Sequence, residues 1–152
     1  MQKMYKCTNV NETIKLGKQI GSCLRGSEVF ELMSDLGGGK TTFVRGLAEG
    51  FGSPDPVASP SFTVSNVYGR PDGRELHHFD FYRLDDAGIV GHELAEVKGE
   101  KGIVIVVEWG AVVHNVLPSD RIMVNIERAD NDKRIFHFQY SPTYAYIFKG
   151  IE

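Results

Sequence analysis

Apolar and polar positions along this chain change period several times, and each change marks an expected element. Tyr5 to Thr8 reads as a short strand. Asn9 and Asn11 are good helix caps, and Leu16, Ile20, Cys23 and Leu24 then recur at helical spacing. That helix is expected to run to Leu24 and to stop at Gly26 and Ser27. Val29 to Met33 is a short apolar run that passes into Gly37, Gly38 and Gly39. Lys40, Thr41 and Thr42 follow, opening a helix over roughly 40 to 49 whose buried stripe is Phe43, Val44, Leu47 and Phe51. Gly50 and Gly52 are expected to end it.

The second half is richer in strands. Ser53 to Pro60 holds three prolines in eight residues and is expected to be a loop. Phe62 to Tyr68 and Glu75 to Arg83 are strand-like, and Gly69 to Gly73 between them is turn chemistry, so a hairpin is expected. A period of two puts Leu76, His78, Asp80 and Tyr82 on one face of the second strand, with His77, Phe79 and Phe81 on the other. Asp85 to Glu96 reads as a weak helix interrupted by Gly88 and Gly91. Ile103 to Val107 is five consecutive β-branched residues, the mark of a strand buried on both faces, and it closes on Glu108 and Trp109. Asp120 to Ile126 and Lys133 to Tyr140 alternate around the turn-rich Ala129 to Asp132 and predict a second antiparallel hairpin. The aromatic tail from Ser141 to Glu152 is compatible with an edge strand.

Composition narrows this picture. At 152 residues the chain is expected to form one domain, with enough surface to bury for a sheet covered by helices. Charge is nearly balanced, 17 Lys and Arg against 20 Asp and Glu, so no global field draws it to nucleic acid. Cys7 and Cys23 lie far from any C-x-x-C spacing and read as small apolar groups. No charged-then-apolar leader and no apolar run of membrane-spanning length is seen, so a cytoplasmic protein without a membrane partner is expected.

Candidate chemistry centres on the glycine run. Glycines let successive backbone N–H groups, from Leu36 through Gly37, Gly38 and Gly39 to Thr41, curl around an anion without a Cβ in the way. The helix that follows turns its unpaired N–H groups to the same anion. Lys40 is then expected to reach the β- and γ-phosphates and the Thr41 hydroxyl to hold Mg²⁺; the alternative is a glycine-rich turn that only joins strand to helix. The pattern G-x-x-x-x-G-K-[ST] has glycine where this chain has Ser34, and a positive φ there would cost serine about 1 kcal/mol or more. Asp80, in an otherwise apolar strand, either has a partner such as a metal-bound or attacking water or is an acid at an exposed strand edge. Glu108 at the end of a buried strand suits Mg²⁺ or the attacking water, or else merely terminates the strand. Trp109 lies either against a nucleotide or in the core, and a dedicated zinc site at His77 and His78 lacks a third ligand.

Four blocks together resemble one family. They are S-D-L-G-G-G-K-T-T-F-V-R-G-L from Ser34, S-P-S-F-T-V from Ser59, H-H-F-D-F-Y-R-L from His77 and V-V-E-W from Val106. The chain is identified as similar to the TsaE (YjeE) family, small bacterial ATPases needed to make threonylcarbamoyladenosine in tRNAs that read codons starting with A. The resemblance implies a P-loop NTPase-like α/β fold, a mixed sheet between helices with antiparallel hairpins. It also implies Mg²⁺-dependent ATP hydrolysis with low turnover, and action as a subunit beside TsaD and TsaB, touching tRNA only through that assembly. In that frame Lys40, Thr41 and Thr42 serve phosphate and Mg²⁺, Asp80 and Glu108 serve metal and water, Trp109 lies close to the nucleotide, and Ser59 to Thr63 forms a switch. Ser34, Ser61 and the segment after Leu84 depart from the family pattern. A small-molecule or nucleotide kinase, or a non-catalytic ATP-sensing module, are the alternative readings of the same loop.

Overall fold

The structure, a computed structural model, describes residues 1–152 apart from Leu36 and Phe62. Its centre is parallel. β2 (Val29–Met33) pairs in parallel with β5 (Ile103–Glu108) on one side and β6 (Ile122–Arg128) on the other, and β4 (Glu75–Asp80) extends β5 in parallel. Antiparallel strands complete both flanks: β3 (Ser65–Gly69) on β4, and β7 (Arg134–Gln139) then β1 (Gln2–Cys7) beyond β6. The order is β1-β7-β6-β2-β5-β4-β3 among the described residues. Mixed sheet, helices and the two hairpins therefore agree with the expected fold class.

One core lies between the sheet and α1 (Val10–Gly21) with α2 (Lys40–Phe51), where Phe30, Phe43, Leu47, Val106 and Phe138 meet. A second, under α3 (Gly88–Val97), gathers Phe79, Phe81, Leu94, Ile105 and Val107 from the opposite face. β5 sends residues into both, as its β-branched run requires.

The pairing of α1 with α2 is unusually close. A Cβ on Gly17 would stand 2.6 Å from the carbonyl oxygen of Phe43, and one on Gly21 would stand 2.2 Å from that of Leu47. Gly46 and Gly50 meet the Ile14 and Lys18 carbonyls in the same way, at 2.3 and 2.1 Å. Glycines four apart on each helix thus let the two backbones touch. α1 itself starts on a reciprocal cap, with Asn9 accepting from the Glu12 N–H and Glu12 accepting from the Thr8 N–H.

Several boundaries move. α1 stops at Gly21 rather than Leu24, where the Ser22 N–H donates to the Lys18 carbonyl. α2 continues through Gly50 to Phe51, because that glycine is a helix contact and not a stop. β1 begins at Gln2, since the antiparallel ladder with β7 reaches Gln139. β4 ends at Asp80 rather than Arg83: its carboxylate accepts the Tyr82 N–H and turns the chain. α3 starts at Gly88, not Asp85. The tail is not an edge strand. Pro142 lacks an N–H and the Ser141 hydroxyl caps Thr143, so 142–148 forms a 3-10 helix that buries Ile147 and Phe148. No helix among the described residues is long and apolar enough to cross a membrane.

Candidate nucleotide site

At the carboxyl ends of the parallel strands, a cavity of about 350 Å³ is lined by Gly37, Gly38, Gly39, Lys40, Thr41 and Thr42 from the loop and first turn of α2. Ser59, Ser61, Asp80, Glu108, Trp109 and Arg134 close it. Every candidate site residue within the described chain therefore lines one cavity; Leu36 lies outside the described residues. The position is where ligands bind in open parallel sheets.

The loop geometry follows from glycine. Gly37 has φ +73° and Gly39 φ +100°, conformations costly for side-chain-bearing residues. Gly38 is confined differently: a Cβ there would stand 2.3 Å from Ser34 Oγ and 2.8 Å from the Asp35 carbonyl oxygen. Ser34 is not among the residues with positive φ, so the strain expected from a serine at that position is absent. Instead its hydroxyl accepts a hydrogen bond from Lys40 Nζ at 2.8 Å. The same ammonium reaches the carbonyls of Ser34 and Asp35 at 3.3 Å. Burial lowers the Lys40 pKa, against the pull of Glu108, Asp80 and Asp35.

The acids converge from neighbouring strands. Asp80 and Glu108 are register partners across β4 and β5, and both are buried. Glu108 Oε1 lies 4.0 Å from Lys40 Nζ. Its Oε2 lies 2.6 Å from Nε2 of the fully buried His78. Asp80 Oδ2 accepts from the Ser61 hydroxyl at 2.9 Å, and Ser61 in turn is 2.8 Å from Ser59 Oγ. His77 is not drawn in; it pairs with Glu75 instead.

Backbone strain marks both acids. Val64, a β-branched residue at φ +68°, gives its carbonyl to the Asp80 N–H at 2.8 Å. Trp109, directly after Glu108, sits at φ +56°. Such conformations cost on the order of 1–3 kcal/mol each and persist only where the surroundings dictate them. Trp109 is 37% exposed, so it is not core. Its ring lies 5.2 Å from Lys40 Nζ and 4.9 Å from the ring of Tyr82.

Two participants escaped the sequence reading. Arg134, at the start of β7, donates through Nε to the Gly38 carbonyl at 2.9 Å and through a terminal nitrogen to that of Gly37 at 3.4 Å. His78 was legible as facing the same way as Asp80, but nothing in its spacing points to Glu108.

The donor set suits a magnesium triphosphate. Lys40 and the glycine loop line one side of the cavity, and the oxygens of Thr41, Asp80 and Glu108 line it too, a set of hard donors of the kind that a magnesium ion keeping much of its water takes. A parallel strand, a glycine loop, a helix opening on Lys-Thr-Thr and an acid ending the neighbouring strand define the P-loop NTPase-like class of α/β fold. The chain belongs to the TsaE family: the family model for "Threonylcarbamoyl adenosine biosynthesis protein TsaE" matches residues 7–136. It is 36% identical over 138 residues to a Bacillus subtilis protein named tRNA threonylcarbamoyladenosine biosynthesis protein TsaE, covering 90% of this chain and 85% of that one. A protein of the same name from Aquifex aeolicus is 39% identical over 125 residues, covering 81% and 85%. A crystal structure of Bacillus subtilis YdiB superposes with a TM-score of 0.76 at 32% identity, covering 97% of this chain and 91% of that one.

Proposed function

We propose that this protein is a magnesium-dependent ATPase that serves tRNA threonylcarbamoyladenosine synthesis as a subunit beside TsaD and TsaB, meeting tRNA only through them. The observation that carries the ATPase reading is the register pairing of Asp80 with Glu108 across a cavity shared with the glycine loop and Lys40. Membership of the TsaE family supports the pathway.

The residues divide the work. The amides around Gly37 to Thr42 bind and orient phosphate, and Lys40 exchanges its contacts with Ser34 and Asp35 for phosphate oxygens. Magnesium supplies neutralisation of phosphate charge when bound. Thr41 and Asp80 hold the cation side of the site. Glu108, with one oxygen turned to the cavity, orients water for attack. Trp109 screens Lys40 from solvent, and Ser59 to Thr63, tied to Asp80 through Ser61, forms the switch. In that segment Phe62 lies outside the described residues.

The test is hydrolysis of Mg-ATP by the purified chain, with Lys40→Ala and Glu108→Ala beside it, and size-exclusion with TsaD and TsaB in ATP. Slow turnover abolished by both substitutions, and co-elution, are expected. Turnover unchanged by Glu108→Ala would favour a nucleotide-sensing module, and phosphate passing to an acceptor other than water would favour a kinase. Failure to co-elute would remove the assembly role.

A further inference from the structure

His78 is fully buried in β4, and Nδ1 of its ring has no hydrogen-bond partner among the described residues. The ring's other nitrogen meets Glu108 Oε2 at 2.6 Å. A buried carboxylate requires a donor, and a buried ring N–H without an acceptor costs more than a bare lone pair. Only a proton on Nε2 meets the first demand, and its absence from Nδ1 meets the second. A ring that donates from Nε2 therefore meets both demands.

This bond divides the two oxygens of Glu108. Oε2 is taken by His78 below the site, which leaves Oε1 on the Lys40 side, facing the cavity. The imidazole is itself held: His78 pairs in register with Val106, one pleat below Glu108, and the Tyr68 ring flanks it at 6.5 Å between centroids. Tyr68 in turn bonds the carbonyl and N–H of Ala58, in the loop ahead of Ser59.

We infer that His78 is a positioning residue for Glu108: its Nε2–H pins one carboxylate oxygen so that the other alone is presented to the reacting water or cation. A carboxylate free to rotate would divide its time between orientations, and supports of this kind are worth about 10–100-fold in activity. The sequence pair His77-His78 thus has a use other than metal binding, and only its second member takes part.

The inference rests on the ATPase reading for its kinetics but not for its geometry. Two-bond ¹H–¹⁵N correlation on the labelled parent protein reads the ring directly, and a proton on Nε2 is expected; a ring without one overturns the proposal. For kinetics, His78→Leu is expected to lower kcat about 10–100-fold while KM for ATP stays within about threefold. His78→Gln, which keeps a donor at similar reach and much of the volume, is expected to recover most of that loss. Should the leucine variant fail to fold, the glutamine variant is measured against His78→Met, which fills similar space without a donor. Equal kcat for parent and donorless variant, or no rescue by glutamine, overturns positioning and leaves the ATPase reading intact. A parent without turnover overturns the ATPase reading and the kinetic part of the inference with it.

Discussion

Lys40 Nζ is seated 2.8 Å from Ser34 Oγ, so the residue that departs from the glycine-loop pattern is a ligand of the loop's own lysine. With the carbonyls of Ser34 and Asp35, that hydroxyl gives the ammonium three acceptors before any phosphate arrives. Binding phosphate must displace at least one of them. Ser34→Gly removes one in advance, and a charge-assisted bond of this kind is worth about 1 kcal/mol or more. The expected result is about fivefold tighter binding of Mg-ATP, read from Trp109 fluorescence, whose ring lies near the same ammonium. Weaker binding in the glycine variant would show that the hydroxyl helps the bound state instead.

Gly38→Ala tests the other side of that contact. The added methyl would press on Ser34 Oγ and on the Asp35 carbonyl, and the second cannot swing away. Nucleotide binding is expected to fall by about 100-fold or more while the unfolding midpoint changes little, because the loop lies at the surface of the sheet. Combining it with Ser34→Gly should restore part of the affinity, a coupling that a double-mutant cycle measures.

Arg134 braces the loop from outside through the Gly37 and Gly38 carbonyls. Its guanidinium also reaches the carbonyls of Asn131 and Lys133, so a planar fork spans the β6–β7 turn and the phosphate loop. Arg134→Ala is expected to weaken Mg-ATP binding about tenfold, and Arg134→Lys to recover little, since a point charge cannot bridge both segments. Isothermal titration of the two variants decides it; full rescue by lysine would mean that charge alone matters.

The loop was readable before the fold because its signal is local: glycines, a lysine and hydroxyls occur in the order in which a loop of this kind would pass an anion. The two faces of β4 were readable for the same reason, since alternation is a property of neighbouring residues. What the sequence withheld is non-local. Arg134 meets Gly38 across 96 positions, and His78 meets Glu108 across 30, each from a strand whose own pattern says nothing about its neighbour in the sheet. Gly50 illustrates the converse error. A glycine in a helical pattern reads as a stop, and only the approach of α1 reveals why the helix continues through it.

That approach makes a stability prediction. Gly46 sits mid-helix, where glycine costs roughly 0.5–1 kcal/mol relative to alanine, so alanine would stabilise an isolated α2. Here its methyl would lie 2.3 Å from the Ile14 carbonyl oxygen, and two packed backbones would have to separate. Gly46→Ala is therefore expected to destabilise by about 1–3 kcal/mol in urea unfolding. A stabilised variant would mean that the helices are free to part.

Acid sensitivity should concentrate at Glu28, which has no exposed surface and accepts from the N–H groups of Arg25, Gly26 and Ser27 and from the Tyr146 hydroxyl. Burial pushes this carboxyl up, but the bonds from Tyr146 and the backbone outweigh it and hold its pKa below the usual value. Burial and the carboxylate together push the Tyr146 hydroxyl strongly upward. For an acid with a depressed folded pKa, the stabilisation is complete above the unfolded value of about 4.3 and is lost as pH falls through the folded one. Stability is therefore expected to be flat with respect to this group near neutrality and to decline below about pH 4. Tyr146→Phe removes one donor, costs about 1–3 kcal/mol at pH 7, and makes the acid decline smaller, because the folded carboxyl then lies closer to its unfolded value and the two proteins converge as pH falls. Urea unfolding from pH 3 to 7 distinguishes the two proteins: curves that differ by a constant at every pH would mean that Tyr146 acts through packing and not through the charge of Glu28.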